Sequence, residues 1–257
     1  METRLKIYRG ILLMACLLGF AGSTFAQDSP TEKISPFSAG VDLMSRYIWR
    51  GLNPGGNTPS IQPSLKYSKG IFTVGAWGAY SIGSQYGQEA DLYATLTPVS
   101  LFSFTLTDYF FPNETAGAAM RNKYFNYKKD ETGHVFEVSA TFNGTESLPL
   151  SLLLAMNVYG ADAKDANGKI CHTPYAELSY SANVNGVGIK PFVGAVLSKP
   201  DEGTTGYYCQ KEAGIVNLGV TASKKLTINK DFSIPVTSSL ITNPSAGNIY
   251  LVFGFSF

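Results

Sequence analysis

Asn248-Ile249-Tyr250-Leu251-Val252-Phe253-Gly254-Phe255-Ser256-Phe257 decides the fold of this chain. Ile249, Leu251, Phe253, Phe255 and Phe257 take every second position, and Tyr250, Val252, Gly254 and Ser256 fill the gaps. Successive side chains of a strand point to opposite faces, so this strand carries one unbroken apolar, aromatic stripe. A soluble protein rarely leaves such a strand where fraying and edge pairing would expose it. A closed barrel in an outer membrane has a use for it, because its outer face is apolar from one interface to the other.

The same period of two runs through the rest of the chain. Segments 37–49, 61–67, 71–82, 89–97, 101–110, 135–142, 148–159, 175–182, 187–197, 214–228, 232–242 and 249–257 read as strands. The fourth is the clearest, with Ala90, Leu92, Ala94 and Leu96 on one face and Glu89, Asp91, Tyr93, Thr95 and Thr97 on the other. Connectors alternate as well. Short ones fall at 69–70, 98–99, 143–147, 184–186 and 229–231; longer polar ones fall at 50–58, 83–88, 111–133, 160–173, 199–211 and 243–247. Short turns on one rim and long loops on the other are the outer-membrane pattern. The expected fold is all-β, a transmembrane antiparallel up-and-down barrel of about 12 strands, with 10 or 14 as the alternatives. An even count puts both termini on the short-turn, periplasmic side. A soluble β-sandwich also alternates. Here, however, the apolar rows recur on every strand, and the opposite rows are too small and polar for a dry core.

The N-terminus supplies an address. Arg4, Lys6 and Arg9 precede a short apolar run from Ile11 to Phe20, and Thr24-Phe25-Ala26 has small residues at the cleavage-determining positions. Residues 1–26 therefore read as a secretory signal peptide, 27–36 as a polar periplasmic tail and 37–257 as the barrel. The apolar run is shorter than the about 20 residues of a membrane helix. Residues 1–26 carry three basic side chains and one acidic one, so their removal takes the formal charge from +1 to −1. That near-balance excludes a polybasic nucleic-acid binder. Cys171 and Cys209 then remain, and two cysteines in an exported chain are expected to form a disulfide.

The first hairpin carries the candidate functional residues. Read as extended backbone, 37–49 places Asp42, Arg46 and Arg50 on one face, and Tyr47 and Trp49 on the other. The second pair, with Phe255 and Phe257, is expected in an aromatic girdle at the membrane interface. The first row is expected in the lumen, together with Lys66, Glu89, Asp91, Glu137, Glu177 and Lys190. Such mixed charges serve either as a solute filter or as an internal salt-bridge network that stiffens a narrow barrel.

Ser45-Arg46-Tyr47-Ile48-Trp49-Arg50-Gly51, Pro59, Gln62, Gly75-Ala76-Trp77 and Glu89-Ala90-Asp91-Leu92-Tyr93 together resemble the opening of the TorF-type porin family, also catalogued as a bacterial domain of unknown function. The resemblance spans about residues 37–110 and implies an outer-membrane barrel that conducts small solutes. The strand ending on Phe257 also resembles the C-terminal signal of bacterial outer-membrane proteins. It implies contact with the barrel assembly machinery through that strand and residence in the outer-membrane lipid of a Gram-negative bacterium, while the signal peptide is expected to direct export by the Sec route.

Enzyme chemistry finds no support in the residues. His134 and His172 are the two histidines, and neither stands in a nucleophile–base spacing. A zinc site from Cys171, His172 and Cys209 is the weaker alternative to the disulfide. No phosphate loop, dinucleotide fingerprint or calcium loop appears, so no catalytic residue, metal or cofactor is expected. Two readings of function stay open. One is a channel for passive diffusion of small solutes through a narrow polar lumen. The other is a closed barrel whose long loops bind a partner or a surface glycan, with Tyr207 and Tyr208 as a loop aromatic pair.

Overall fold

The computed structural model describes residues 35–83, 88–112, 123–230 and 232–257. Residues 1–34, which hold the expected signal peptide and most of the expected tail, and residues 84–87, 113–122 and 231 lie outside the described residues. The compact unit runs from Pro36 to Phe257. Its elements are β1 (Phe37–Met44), β2 (Ser60–Lys69), β3 (Phe72–Ser81), β4 (Gln88–Val99), β5 (Phe102–Phe110), β6 (His134–Phe142), β7 (Leu150–Gly160), β8 (Pro174–Tyr180), β9 (Ala182–Val184), β10 (Val187–Val196), β11 (Gly214–Asn229), β12 (Phe232–Asn243) and β13 (Asn248–Ser256). β8 and β9 both pair with β10 and are one stave interrupted at Ser181. Each stave is antiparallel to its neighbours, and β1 pairs with β13 to close a twelve-stave barrel.

The alternation predicted this architecture, and the burial pattern explains it. Leu65, Phe72, Leu92, Phe104, Val138, Leu154, Leu178, Leu218, Leu240 and Leu251 all stand exposed. They project from the outside of the barrel and give it a broad apolar outer face. The inner rows are small and polar. Thr95 bonds Thr105 at 2.9 Å, Ser68 bonds Thr73 at 2.9 Å, and Thr221 bonds Ser239 at 2.8 Å, each across a strand pair. Luminal glycines let large rings lie flat against the wall. A Cβ on Gly75 would stand 2.4 Å from the Tyr93 ring, one on Gly194 would meet the Tyr175 hydroxyl at 2.0 Å, and one on Gly219 would meet the Phe192 ring at 2.6 Å.

Turns are tight at one rim, as at Lys69-Gly70-Ile71 and Asn185-Gly186, and long at the other. Both Phe37 and Phe257 lie at the tight-turn rim. The first strand is the main correction. Predicted to run to Trp49, β1 stops at Met44. Residues 45–59 leave the wall and fold inward.

Candidate functional site

The inward segment owes its path to a reverse turn. Trp49 and Leu52 exchange backbone hydrogen bonds at 2.9 and 2.8 Å, and the two residues between them, Arg50 and Gly51, have φ of 47° and 79°. Two central residues with positive φ make the tight hairpin turn that matches the right-handed strand twist. Gly51 fits by necessity, since a Cβ there would sit 1.9 Å from the Val216 carbonyl oxygen of β11. Asn243 Nδ2 donates to the Gly51 carbonyl at 3.3 Å, Ser81 Oγ donates to that of Gly55 at 2.9 Å, and Ile82 N–H donates to that of Pro59 at 2.7 Å. The segment is thus pinned to the lumen wall at several staves.

Arg50, at the tip of this turn, is the hub of the upper lumen. Its guanidinium forks onto Glu137 of β6, with Nη2 to Oε1 at 2.9 Å and Nη1 to Oε2 at 2.5 Å, and donates to the Tyr208 hydroxyl at 2.8 Å. It also lies 4.4 Å from the Tyr175 ring centroid and 4.7 Å from that of Trp49. Burial opposes its charge, but Tyr208 and Glu137 outweigh burial and hold its pKa well above the usual arginine value. Tyr109 also donates to Glu137, at 3.2 Å. Tyr208 stacks on Tyr175 at 5.2 Å and on Trp49 at 5.7 Å. Ala155, Val196 and Val216 complete this core, with Leu52 and Tyr207 packed against it. Burial pushes the Tyr208 phenol up to about 12.

Beside the plug, toward β1 to β4 and β12 to β13, a cavity of about 410 Å³ stays open. Glu89 and Asp91 line it from β4 and are 1% and 4% exposed. Asp91 accepts the Phe110 N–H at 3.4 Å. Among the described residues neither carboxylate oxygen of Glu89 has a partner in hydrogen-bond geometry, nor has the buried hydroxyl of Tyr47. Burial, first, and the nearby Glu89 carboxylate, second, raise the pKa of this phenol well above the usual tyrosine value. Arg46 lines the same cavity, its guanidinium 5.7 Å from the Tyr250 ring centroid.

Several expectations are corrected here. Tyr47 and Trp49 are not girdle residues. Tyr47 is 5% exposed and packs on Trp77 at 5.4 Å, and Trp49 is an element of the luminal core. Because the backbone turns, Arg46 and Arg50 do not share a strand face; Arg50 pairs with Glu137 and not with Glu89 or Asp91. Tyr207 and Tyr208 pack into the luminal core and offer no outward aromatic groove. Cys171 and Cys209 are free thiols, so the expected disulfide is not formed. Each is held by its own loop, Cys171 N–H on the Ala163 carbonyl and Cys209 N–H on that of Gly206. Burial, then Asp162, Asp165 and Asp201, raise the Cys171 thiol and disfavour the thiolate that disulfide formation needs.

The remaining candidates occupy the inner rows. Asp42 lies opposite Gln62 and Ser256. Glu177 accepts from Tyr175 at 2.6 Å and Asn217 at 2.9 Å. Lys66 and Lys190 lie lower, opposite Gly75 and Thr221. Phe255 and Phe257 are exposed at the tight-turn rim. Sequence reading missed Tyr109, Tyr175 and Asn217 as luminal residues of consequence; their period-two placement opposite exposed leucines was the available signal.

A family described as a bacterial protein of unknown function (Gcw_chp) matches residues 27–167. No curated protein matches the chain. A solved chain from work on "the Mechanism Behind the in-meso Crystallization of Membrane Proteins" is similar at 8% identity over 85% of this chain and 81% of that one, with a TM-score of 0.40. At that score the likeness carries no argument.

Proposed function

This chain belongs to the Gcw_chp family of bacterial proteins of unknown function, and from that premise we propose that it is a narrow solute channel of the outer membrane, of the TorF porin type. The carrying observation is the segment 45–59. It folds into the lumen, held to β6 through Arg50 and to β12 through Asn243, and leaves a cavity open beside it. A twelve-stave barrel lies between the filled interior of eight strands and the open channel of sixteen or more. An inward segment that leaves a polar cavity beside it is a constriction. The exposed apolar outer rows support lipid as the surrounding medium. Export through a cleaved signal peptide and assembly through the last strand belong to the same reading.

Reconstitution in planar bilayers tests it. Discrete conductance steps, and swelling of loaded liposomes in small sugars, are expected. The aromatic packing of Trp49, Tyr207 and Tyr208 also favours a second reading, a closed barrel whose loops bind a partner. Absence of any step or swelling from folded, heat-modifiable protein would establish that reading in place of the first.

A further inference from the structure

We propose that the luminal cavity beside the plug is a binding site for small organic ammonium ions, and that such cations are the preferred solutes of the channel. The proposal rests on the channel reading for its second half only; the binding site stands on its own geometry.

Glu89 and Asp91 are two strand positions apart and face one cavity from the same face of β4. Two buried carboxylates on one wall are an acidic cluster, which alone says nothing of a ligand. The second observation is the state of their surroundings. Glu89 is 1% exposed, and neither of its oxygens finds a donor among the described residues. The Tyr47 hydroxyl, 5% exposed, is likewise unpartnered beside it. A buried carboxylate without a donor is costly, and a cation that donates hydrogen bonds relieves that cost directly. Both arginines of the segment are otherwise placed. Arg50 is committed to Glu137, and Arg46 stacks toward Tyr250 with no ion pair to either carboxylate within 4.0 Å.

The rest of the lining selects the kind of cation. Tyr47, Trp49, Trp77 and Tyr109 all face the cavity. Aromatic faces attract ammonium groups and give little to a hydrated metal ion. No group of three or more metal-ligating side chains occurs among the described residues. At about 410 Å³ the cavity has the size of a small-molecule pocket. An ammonium head on Glu89 and Asp91 with a short alkyl body against the rings fits the acidic and aromatic part of this lining.

The two tryptophans of the chain are Trp49 and Trp77, and both line the cavity. Tryptophan fluorescence of the detergent-solubilised, folded protein therefore reports on this site. Titration with n-butylammonium chloride is expected to give a saturable change, whereas sodium n-butyrate at equal ionic strength gives none. The double variant E89Q/D91N is expected to weaken the butylammonium response at least roughly tenfold, the effect of removing the charged partner of a desolvated cation. A response to butyrate equal to that of butylammonium, or no saturable response, would overturn the site even where the double variant fails to fold. So would an unchanged affinity in folded E89Q/D91N. Bilayer measurements separate the two readings. Binding without conductance would sink the channel and leave the site; conductance with equal permeability to butylammonium and butyrate would sink the preference.

Discussion

Arg50 holds a backbone conformation usually left to glycine, with φ of 47°, and is kept there by what its side chain reaches. Its side chain is 10% exposed and that of Glu137 is 3% exposed. Removing one member of such a buried pair strands the other charge and costs about 3–5 kcal/mol, whereas replacing both by apolar groups is often close to neutral. We therefore expect R50A to lower sharply the temperature at which the folded form is lost in a heat-modifiability gel, and R50M/E137M to recover most of that loss. Equal losses in the single and double variants would show that the pair is not the hub. Lysine at position 50 should resemble alanine more than arginine, because an ammonium cannot make the two-pronged contact. The luminal placement of Arg50 and Glu137 was legible from the period of two. Their pairing was not, since 87 residues separate them and only barrel closure brings β6 opposite the turn. Glu89 and Asp91, by contrast, were fully legible, because two residues on one strand keep their relation whatever the rest of the barrel does.

The element that sequence misread is the segment 45–59. Tyr47 and Trp49 continue the alternation of β1, so periodicity alone extends the strand past Met44. The counter-signal was present in Arg50-Gly51 and Pro54-Gly55-Gly56, but an arginine is an unusual occupant of a left-handed turn position, and the pattern lacks the Asn-Gly signature. The other staves were read within a few residues, because there each apolar position meets the same medium outside and the same polar row inside. The segment is also separable from the wall. Met44 lies directly opposite Ser60 in the β1–β2 register, so a two-residue turn can replace Arg46–Thr58 without moving either strand. In that variant Glu137 should become glutamine, so that no buried charge is left alone. The shortened protein is expected to remain a closed barrel by circular dichroism and to show a several-fold larger single-channel conductance than the parent, as the constriction is gone. Unchanged conductance would place the narrowest point elsewhere in the lumen. The free cysteines belong to the same scale: each sits in a loop stabilised by its own local bonds, which is why proximity in topology did not become a disulfide.

At the scale of the whole molecule, two properties follow from the closed alternating sheet. The first is sidedness. Long loops share one rim and tight turns the other, so an epitope inserted at Glu202-Gly203 should be reachable on intact cells and one at Asn185-Gly186 should not; reversed labelling would invert the orientation. The second is that closure depends on one short seam. Asp42, Leu43 and Met44 pair with Ser256, Phe255 and Gly254, whereas β11 and β12 run in register from Leu218↔Thr242 to Thr227↔Ser233. The seam is short because β1 ends at Met44, where the chain turns inward. It is supplemented by Val41 and Phe257, which exchange backbone hydrogen bonds at 3.0 and 2.9 Å, and by Ser45 N–H on the Phe253 carbonyl at 2.8 Å. Phe257 thus contributes through its backbone to the weakest junction of the ring, in addition to its exposed ring at the rim. In hydrocarbon an unpaired edge group costs several kcal/mol, since no water is present to replace the lost partner. Deleting Phe257 removes two of the seam's bonds and should lower the temperature at which the barrel opens in the gel assay. Phe257→Ala, which keeps those bonds, should leave that temperature nearly unchanged. If the two variants behave alike, the aromatic side chain rather than the seam sets the contribution of this residue.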